Sequence, residues 1–319
     1  MKNKITIVGI NFWPEDTAIG LYTYQLANFY REQGLEVNVI TGFPYYPEWR
    51  INSEYRSKKT YYEESINGIK IYRFKQYVPK KPIFFKRILH LLHFTLGSFI
   101  NLFKIKKTDV VLCVVPFIGC VLIGKFLAKL KGAKLWVHIQ DFEFDAVRDS
   151  NLVDEKTDKN IIFRMLFYVE SKLLNSADLL STISFSMLKK LKGKTKIKIE
   201  KKLLPNWVDQ NFIVPEGHKK HSYLKSDKFK ILYSGNIGEK QDWDFFIKFA
   251  KELEKEKDVQ IIVVGNGSKR YWLEEKLLDL ENIWFYNPVA YSELSDLLCS
   301  ADLHILFQKV NVIDTVMPS

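Results

Sequence analysis

The sequence predicts an α/β protein built from two doubly wound parallel-sheet units in tandem. Three observations carry this reading. Strand-like runs such as Lys4–Ile10 (KITIVGI) and Asp109–Val115 (DVVLCVV) are continuously apolar instead of alternating, as strands covered on both faces require. Segments of helical periodicity separate one run from the next. The rhythm pauses once, near Pro205–Trp207, and then restarts.

In chain order, the strand Lys4–Ile10 leads through a loop to a helical pattern over about residues 17–33, which Gly34 stops. Glu36–Thr41 and Ile69–Phe74 read as strands, and Ile83–Phe103 as a long helix flanked by Lys and Arg, expected to bury against the sheet, with membrane docking as the alternative. Asp109–Val115 is a strand ended by Pro116. A helix over about Phe117–Lys131 passes through Gly132 to the strand Ala133–Gln140. Ile162, Met165, Leu166, Val169 and Leu173 fall at helical spacing before the strand Asp178–Ile183. Residues 1–209 are thus a first Rossmann-like domain, and the polar stretch 210–228, with Pro215 and Gly217, reads as a linker. In residues 229–319 the alternation resumes. Strands Phe229–Ser234, Val259–Val264, Ile283–Tyr286 and Asp302–Phe307 alternate with helices over about 242–256, 268–280 and 291–299. That second domain is short and lacks a closing helix, so a C-terminally truncated chain is expected.

Composition bounds the function. Of 319 residues, 47% are hydrophobic and 27% charged, which excludes disordered, collagen-like and coiled-coil chains. The net charge of +11 invites a nucleic acid, an anionic membrane surface or a phosphorylated ligand. Only eight of 48 basic residues are Arg, so base-specific reading, and with it a nucleic-acid partner, is not expected. The Lys189–Lys202 run, with eight Lys and one Glu, reads as a solvated face or as one meeting an anionic membrane. Cys113, Cys120 and Cys299 form no CxxC pair and fit buried thiols in a reducing cytoplasm. The start, Met1-Lys2-Asn3-Lys4 before a strand, resembles no signal peptide, and the apolar stretch Ile88–Phe103 is too short to span a bilayer. A cytoplasmic protein is expected.

Chemistry in open parallel sheets gathers beyond the carboxyl ends of the strands. Five loops stand out there. In Asn11–Gly20 (NFWPEDTAIG), Asp16 or Thr17 could cap the helix, and Gly20 admits a ligand to its N-terminus or eases packing. His138–Asp145 (HIQDFEFD) sets Asp141, Glu143 and Asp145 within five residues, beside His138 and Gln140. Such a cluster suits sugar hydroxyls or proton transfer, with a capping acidic turn and a core histidine as the plainer readings. Tyr233–Gln241 (YSGNIGEKQ) is a glycine loop with Gly235, Asn236, Gly238 and Lys240, suited to a diphosphate. Gly265-Asn266-Gly267 repeats the arrangement after the next strand. The aromatic loop Phe43–Trp49, with Tyr45, Tyr46 and Trp49, is either a sugar- or acceptor-contacting rim or a rigid packed loop.

Taken in order, NFWPEDTAIG, TGFPYYPEW, HIQDFEFDAV, ESKLLNSADLLSTIS, PNWVD, YSGNIGEKQ, VVGNGS, ADLHILFQK and VMPS make the chain resemble the family 4 glycosyltransferases of the GT-B fold. Within them it resembles the colanic-acid and exopolysaccharide group. The resemblance implies two Rossmann-like domains facing a cleft, and transfer from a UDP- or GDP-type nucleotide-sugar to a glycan or polyprenyl-linked acceptor with retained configuration. It implies no cofactor and no metal, in keeping with a sequence that has no Cys/His ligand cluster. It places Asp141, with Gln140 or His138, at the reacting sugar. Gly20, Gly235, Asn236, Gly238, Lys240 and Gly265–Gly267 fall on the donor side; Tyr45, Tyr46, Trp49 and Glu143 are acceptor-side candidates.

Two departures follow. Asn236 stands where many relatives carry an arginine, which shifts charge compensation to Lys240, and the family's paired glutamates would fall beyond Ser319. The alternatives are a catalytically inactive nucleotide-sugar-binding fragment, a basic nucleic-acid-binding protein, and a dinucleotide oxidoreductase, which would need the GxGxxG loop this sequence lacks.

Overall fold

A computed structural model describes residues 3–15, 18–81, 83–142, 144–145 and 159–310. The chain divides into two units between Pro205 and Asn206.

The first unit holds β1 (Lys4–Val8), α1 (Ala18–Glu32), β2 (Glu36–Gly42), β3 (Tyr61–Ile66), β4 (Ile69–Phe74), α2 (Phe84–Ser98) and β5 (Val110–Val115). It continues with α3 (Gly119–Lys131), β6 (Lys134–Ile139), α4 (Lys159–Leu174), β7 (Leu179–Thr182), α5 (Phe185–Lys194) and β8 (Glu200–Leu203). Eight strands lie in the order β3-β4-β2-β1-β5-β6-β7-β8, parallel throughout except for β3 against β4. The central strands are apolar and buried because helices cover them. Val111, Cys113, Ile123, Leu127 and Val137 belong to one core cluster.

Two strands escape the apolar-run criterion. Tyr61–Ile66 (YYEESI) alternates and lies at a sheet edge, where one face meets water. Its partner strand follows directly through Asn67-Gly68, with φ of 49° and 79°, the left-handed pair that a two-residue hairpin needs. That dipeptide was the available signal. Glu200–Leu203 (EKKL) is the opposite edge, and its lysines hide its strand character.

The lysine run is therefore only partly a solvated face. Lys190 and Lys194, both largely buried, point inward to Asp145 at 3.0 and 2.6 Å, and Lys194 also reaches Glu170 at 2.6 Å. The predicted helix 83–103 also differs: it ends at Ser98 and continues as a 3₁₀ turn, Phe99–Lys104. His90, Phe94, Thr95 and Ser98 face the sheet, whereas Leu89, Leu92 and Leu96 are exposed, so burial is one-sided.

The second unit contains β9 (Phe229–Ser234), α6 (Trp243–Leu253), β10 (Val259–Val264), α7 (Arg270–Lys276), β11 (Ile283–Tyr286), α8 (Leu294–Cys299) and β12 (Leu303–His304). Its four parallel strands lie in the order β11-β10-β9-β12. The stretch 210–228 is not a free linker but part of this unit. Val214 N–H donates to Ser295 Oγ at 3.2 Å, and His221 N–H to Ser300 Oγ at 2.8 Å. Leu224 is buried with Leu232, Ile262 and Leu297. Its polar composition concealed this, because the contacts run mainly through backbone N–H groups, which every residue type except proline carries.

Candidate functional site

In the first unit, the loops after β1 and β2 are fastened together by a residue the sequence reading passed over. Glu15 is buried, and its Oε1 accepts from the N–H groups of Tyr45 (2.8 Å) and Tyr46 (2.9 Å). Its Oε2 accepts from Asn11 Nδ2 at 2.9 Å. Burial raises the Glu15 carboxyl pKa, opposed by these hydrogen bonds and by Arg73. Gln76 fixes the same segment from the other side: its Oε1 accepts from Phe43 N–H (2.8 Å) and its Nε2 donates to Phe43 O (2.9 Å). At Gly20 an added Cβ would lie 2.7 Å from the Glu15 carbonyl, so the glycine admits this loop against α1. Asp16 and Thr17 lie outside the described residues.

The aromatic loop is both rim and packing. Glu15, Tyr45, Tyr46, Pro47, Arg50 and Arg56 line a cavity of about 500 Å³. Trp49 is not among its walls. Its ring centroid lies 5.5 Å from that of His90, with the Arg87 guanidinium 5.1 Å above it. Tyr45 is buried and packs on His90 at 4.6 Å.

At the end of β6, His138 is 1% exposed and held on both ring nitrogens. Gln140 Nε2 donates to its Nε2 at 2.9 Å, which leaves the ring proton on Nδ1, directed to Ser181 Oγ at 2.9 Å. Ser181 Oγ also accepts from Trp136 Nε1 at 2.8 Å. Burial pushes the imidazole down to about 4. Of the two readings open for His138, this geometry fits the core histidine, a strut beneath the loop with Gln140 buried beside it. An NMR titration is expected to show this imidazole neutral down to about pH 4. Because the unfolded chain takes up the proton first, the stabilisation this site gives is complete above about pH 6.5. It is lost as pH falls from there towards 4. A midpoint near 6.5 in the folded protein would return His138 to the reacting groups.

Asp141 follows Gln140 and is half-buried, whereas Asp145 is committed to Lys190 and Lys194. Glu170, which shares Lys194, has its pKa raised by burial, opposed by that lysine. The structure thus separates Asp141 from Asp145 by surroundings. Glu143 lies outside the described residues.

In the second unit the two glycine loops come together at the ends of β9 and β10. Ile237 N–H donates to Asn266 O (2.9 Å), and Lys269 N–H donates to Ile237 O (3.0 Å). A Cβ at Gly265 would lie 2.0 Å from Gly235 O, and one at Gly267 would lie 2.3 Å from Ile237 O. These glycines therefore let one loop approach the other. At Gly238 a Cβ would lie 2.7 Å from Asn236 Nδ2; its N–H donates to Gln241 Oε1 (3.1 Å) and its carbonyl accepts from Trp243 Nε1 (2.7 Å). Gly235 and Asn236 are exposed, and Lys240 is half-buried in the turn before α6. Arg270, unmarked by the sequence reading, braces the ends of β10 and β11 by donating to the carbonyls of Gly265 and Tyr286.

The family model described as glycosyl transferases group 1 matches residues 216–309, which contain both glycine loops. WcaI of Escherichia coli (strain K12), to which a glycosyl transfer in colanic acid biosynthesis is ascribed, is 35% identical over 99% of this chain and 79% of its own length. The chain belongs to the group 1 glycosyltransferases. Its fold is of the GT-B type. Sucrose-phosphate synthase from Thermosynechococcus elongatus superposes with a TM-score of 0.70 at 12% identity, covering 95% of this chain and 75% of that one. HepE of Anabaena, solved with UDP and glucose, gives 0.62 at 13%, covering 95% and 73%. Among the described residues of this glycosyltransferase, no helix is long and apolar enough to cross a membrane.

Proposed function

We propose that this glycosyltransferase moves a sugar from a UDP- or GDP-type nucleotide-sugar to a glycan or polyprenyl-linked acceptor in exopolysaccharide synthesis of the colanic-acid kind. Transfer retains configuration, needs no metal, and takes place at the cytoplasmic face of the membrane. The observation that carries the reading is the pair of laced glycine loops in the second unit, with exposed Gly235 and Asn236 and with Lys240 beside them. The likeness to WcaI and the UDP held by HepE support it.

The reaction asks for stabilisation of negative charge as the nucleoside diphosphate leaves. The Lys240 ammonium supplies it as a preorganised donor, while the N–H groups of Gly235, Ile237, Gly238, Gly265 and Gly267 are spent on holding the loops in place. Asp141 contacts a sugar hydroxyl, with Gln140 and His138 fixing the strand end beneath it. Gly20 acts indirectly, by admitting the Glu15 loop to the head of α1. The cavity beside Tyr45 and Tyr46 receives the acceptor, and Trp49 steadies its wall.

Thermal melting against UDP, GDP, their common sugars, NAD and a short DNA duplex tests the reading. A ligand at 100 times its Kd stabilises the folded state by about 2.7 kcal/mol, so the correct base announces itself. One nucleoside diphosphate alone is expected to raise the melting temperature. A shift with NAD or DNA only would overturn the proposal, and a nucleotide shift without turnover would favour an inactive binder.

A further inference from the structure

The outer face of α2 has no counterpart in the chemistry proposed above. Leu89, Leu92 and Leu96 fall at i, i+3 and i+7 and so share one side of the helix. Ile100 and Phe103 continue that side along the 3₁₀ turn, and all five are more than half exposed. At the start of the turn, the Phe99 ring packs on Phe126 of α3 at 5.3 Å, and Phe126 and Leu130 are again half exposed. The result is one apolar ridge across two helices.

Its border is of a single sign. Ser65–Thr108 contains ten Lys or Arg residues and no Asp or Glu, and Val110–Gln140 contains four Lys and no acid. Lys86, Lys125 and Lys129 are exposed beside the ridge. Lys104 borrows a carboxylate, Glu63 of β3, at 2.8 Å.

We propose that α2, the 3₁₀ turn and the outer face of α3 dock the first unit onto an anionic lipid bilayer, the side chains entering the acyl boundary and the lysines meeting the headgroups. The inference deepens the membrane-side placement of the acceptor proposed above and rests on it only for its purpose. Two properties select this occupant. An amphipathic helix with leucine and phenylalanine on one face and bordering lysines lies in the interface plane of anionic lipid. A second copy of the chain, pairing the same face with itself, would set lysine against lysine with no carboxylate on either helix to answer them.

The opposite side of α2 gives the docking a consequence. His90 and Arg87 pack against Tyr45 and Trp49, so the helix that rests on lipid also backs the loop that walls the 500 Å³ cavity. An acceptor anchored in the same bilayer would have its headgroup held near this wall.

Co-sedimentation with vesicles tests this without donor or acceptor, so its failure is separate from failure of the nucleotide melts. The chain is expected to pellet with phosphatidylcholine vesicles containing about a third phosphatidylglycerol, and much less with phosphatidylcholine alone or at high salt. Leu92→Glu with Leu96→Glu, and separately Lys125→Glu with Lys129→Glu, are each expected to lower partitioning roughly tenfold or more while melting normally. All four positions are exposed, so folding is spared. Undiminished pelleting of the leucine variant would overturn the proposal. So would a parent chain that ignores anionic vesicles, including one that instead forms a dimer that Leu92→Glu with Leu96→Glu dissolves.

Discussion

Replacing Arg73 by Met is expected to destabilise the first unit by about 3–5 kcal/mol, the range for breaking a buried ion pair by removing one partner. Arg73 sits in β4 with its side chain wholly buried. Its Nε donates to Glu64 of β3, its Nη1 to Gly42 O of β2 at 3.0 Å, and its Nη2 to Trp13 O in the loop after β1. One guanidinium thus ties the antiparallel edge to the two loops that Glu15 and Gln76 hold in register. Its plane also lies over the Tyr55 ring at 5.0 Å. Methionine fills the volume but donates nothing, leaving one carboxylate and two carbonyls without that donor. The urea midpoint should fall accordingly, with an unchanged slope if the unfolded state is unaffected. Adding Glu64→Leu should return part of the loss, because it removes the uncompensated carboxylate. A midpoint shift worth less than about 1 kcal/mol would mean that water reaches the site and compensates the lost donors.

Replacing Lys240 by Ala is expected to cost about 3 kcal/mol of transition-state stabilisation, on the order of a hundredfold in kcat/KM, with the nucleotide that the melts select. The position supports this. Lys240 is half-buried in the turn before α6, whose first residues are capped by Asp242 accepting from Phe245 N–H at 3.1 Å. Lys309 N–H donates to the Lys240 carbonyl at 3.0 Å, which ties the segment after β12 to the turn. The Ala variant keeps this backbone contact, and its melting without ligand is measured beside its rate so that lost charge is separated from lost structure. A loss confined to KM would make the lysine a ground-state binder. Near-normal turnover would place charge compensation outside Lys240. Lys240→Arg should recover part of the rate, since the charge survives while the shape changes.

The aromatic and glycine loops show how far sequence reading goes. Tyr45, Tyr46 and Trp49 stand together in the chain, and their chemistry suggested a rim; only the fold turned Trp49 towards His90 and left Tyr46 at the cavity. Gly265 and Gly267 announced a close approach. That the approaching group is the backbone of residues 235–237, 30 positions earlier, is a property of β9 lying beside β10. Glu15 was overlooked inside a motif already singled out, because nothing in NFWPEDTAIG distinguishes a solvated glutamate from one buried under two backbone N–H groups.

By itself, then, the sequence determined the alternation of strands and helices, two parallel-sheet units, and the loops at the carboxyl ends of the strands. Each of these follows from the period of apolar residues and from turn chemistry, which act over a few neighbouring positions. Only the tertiary structure decided that His138 is buried and held on both ring nitrogens, that residues 210–228 belong to the second unit, and that the outer face of α2 is left uncovered. The same holds for Arg73 and Glu15, which join segments 60 and 30 residues apart. Whether a polar or apolar side chain is buried, paired or exposed depends on what the fold brings against it, and that partner leaves no trace in the local pattern.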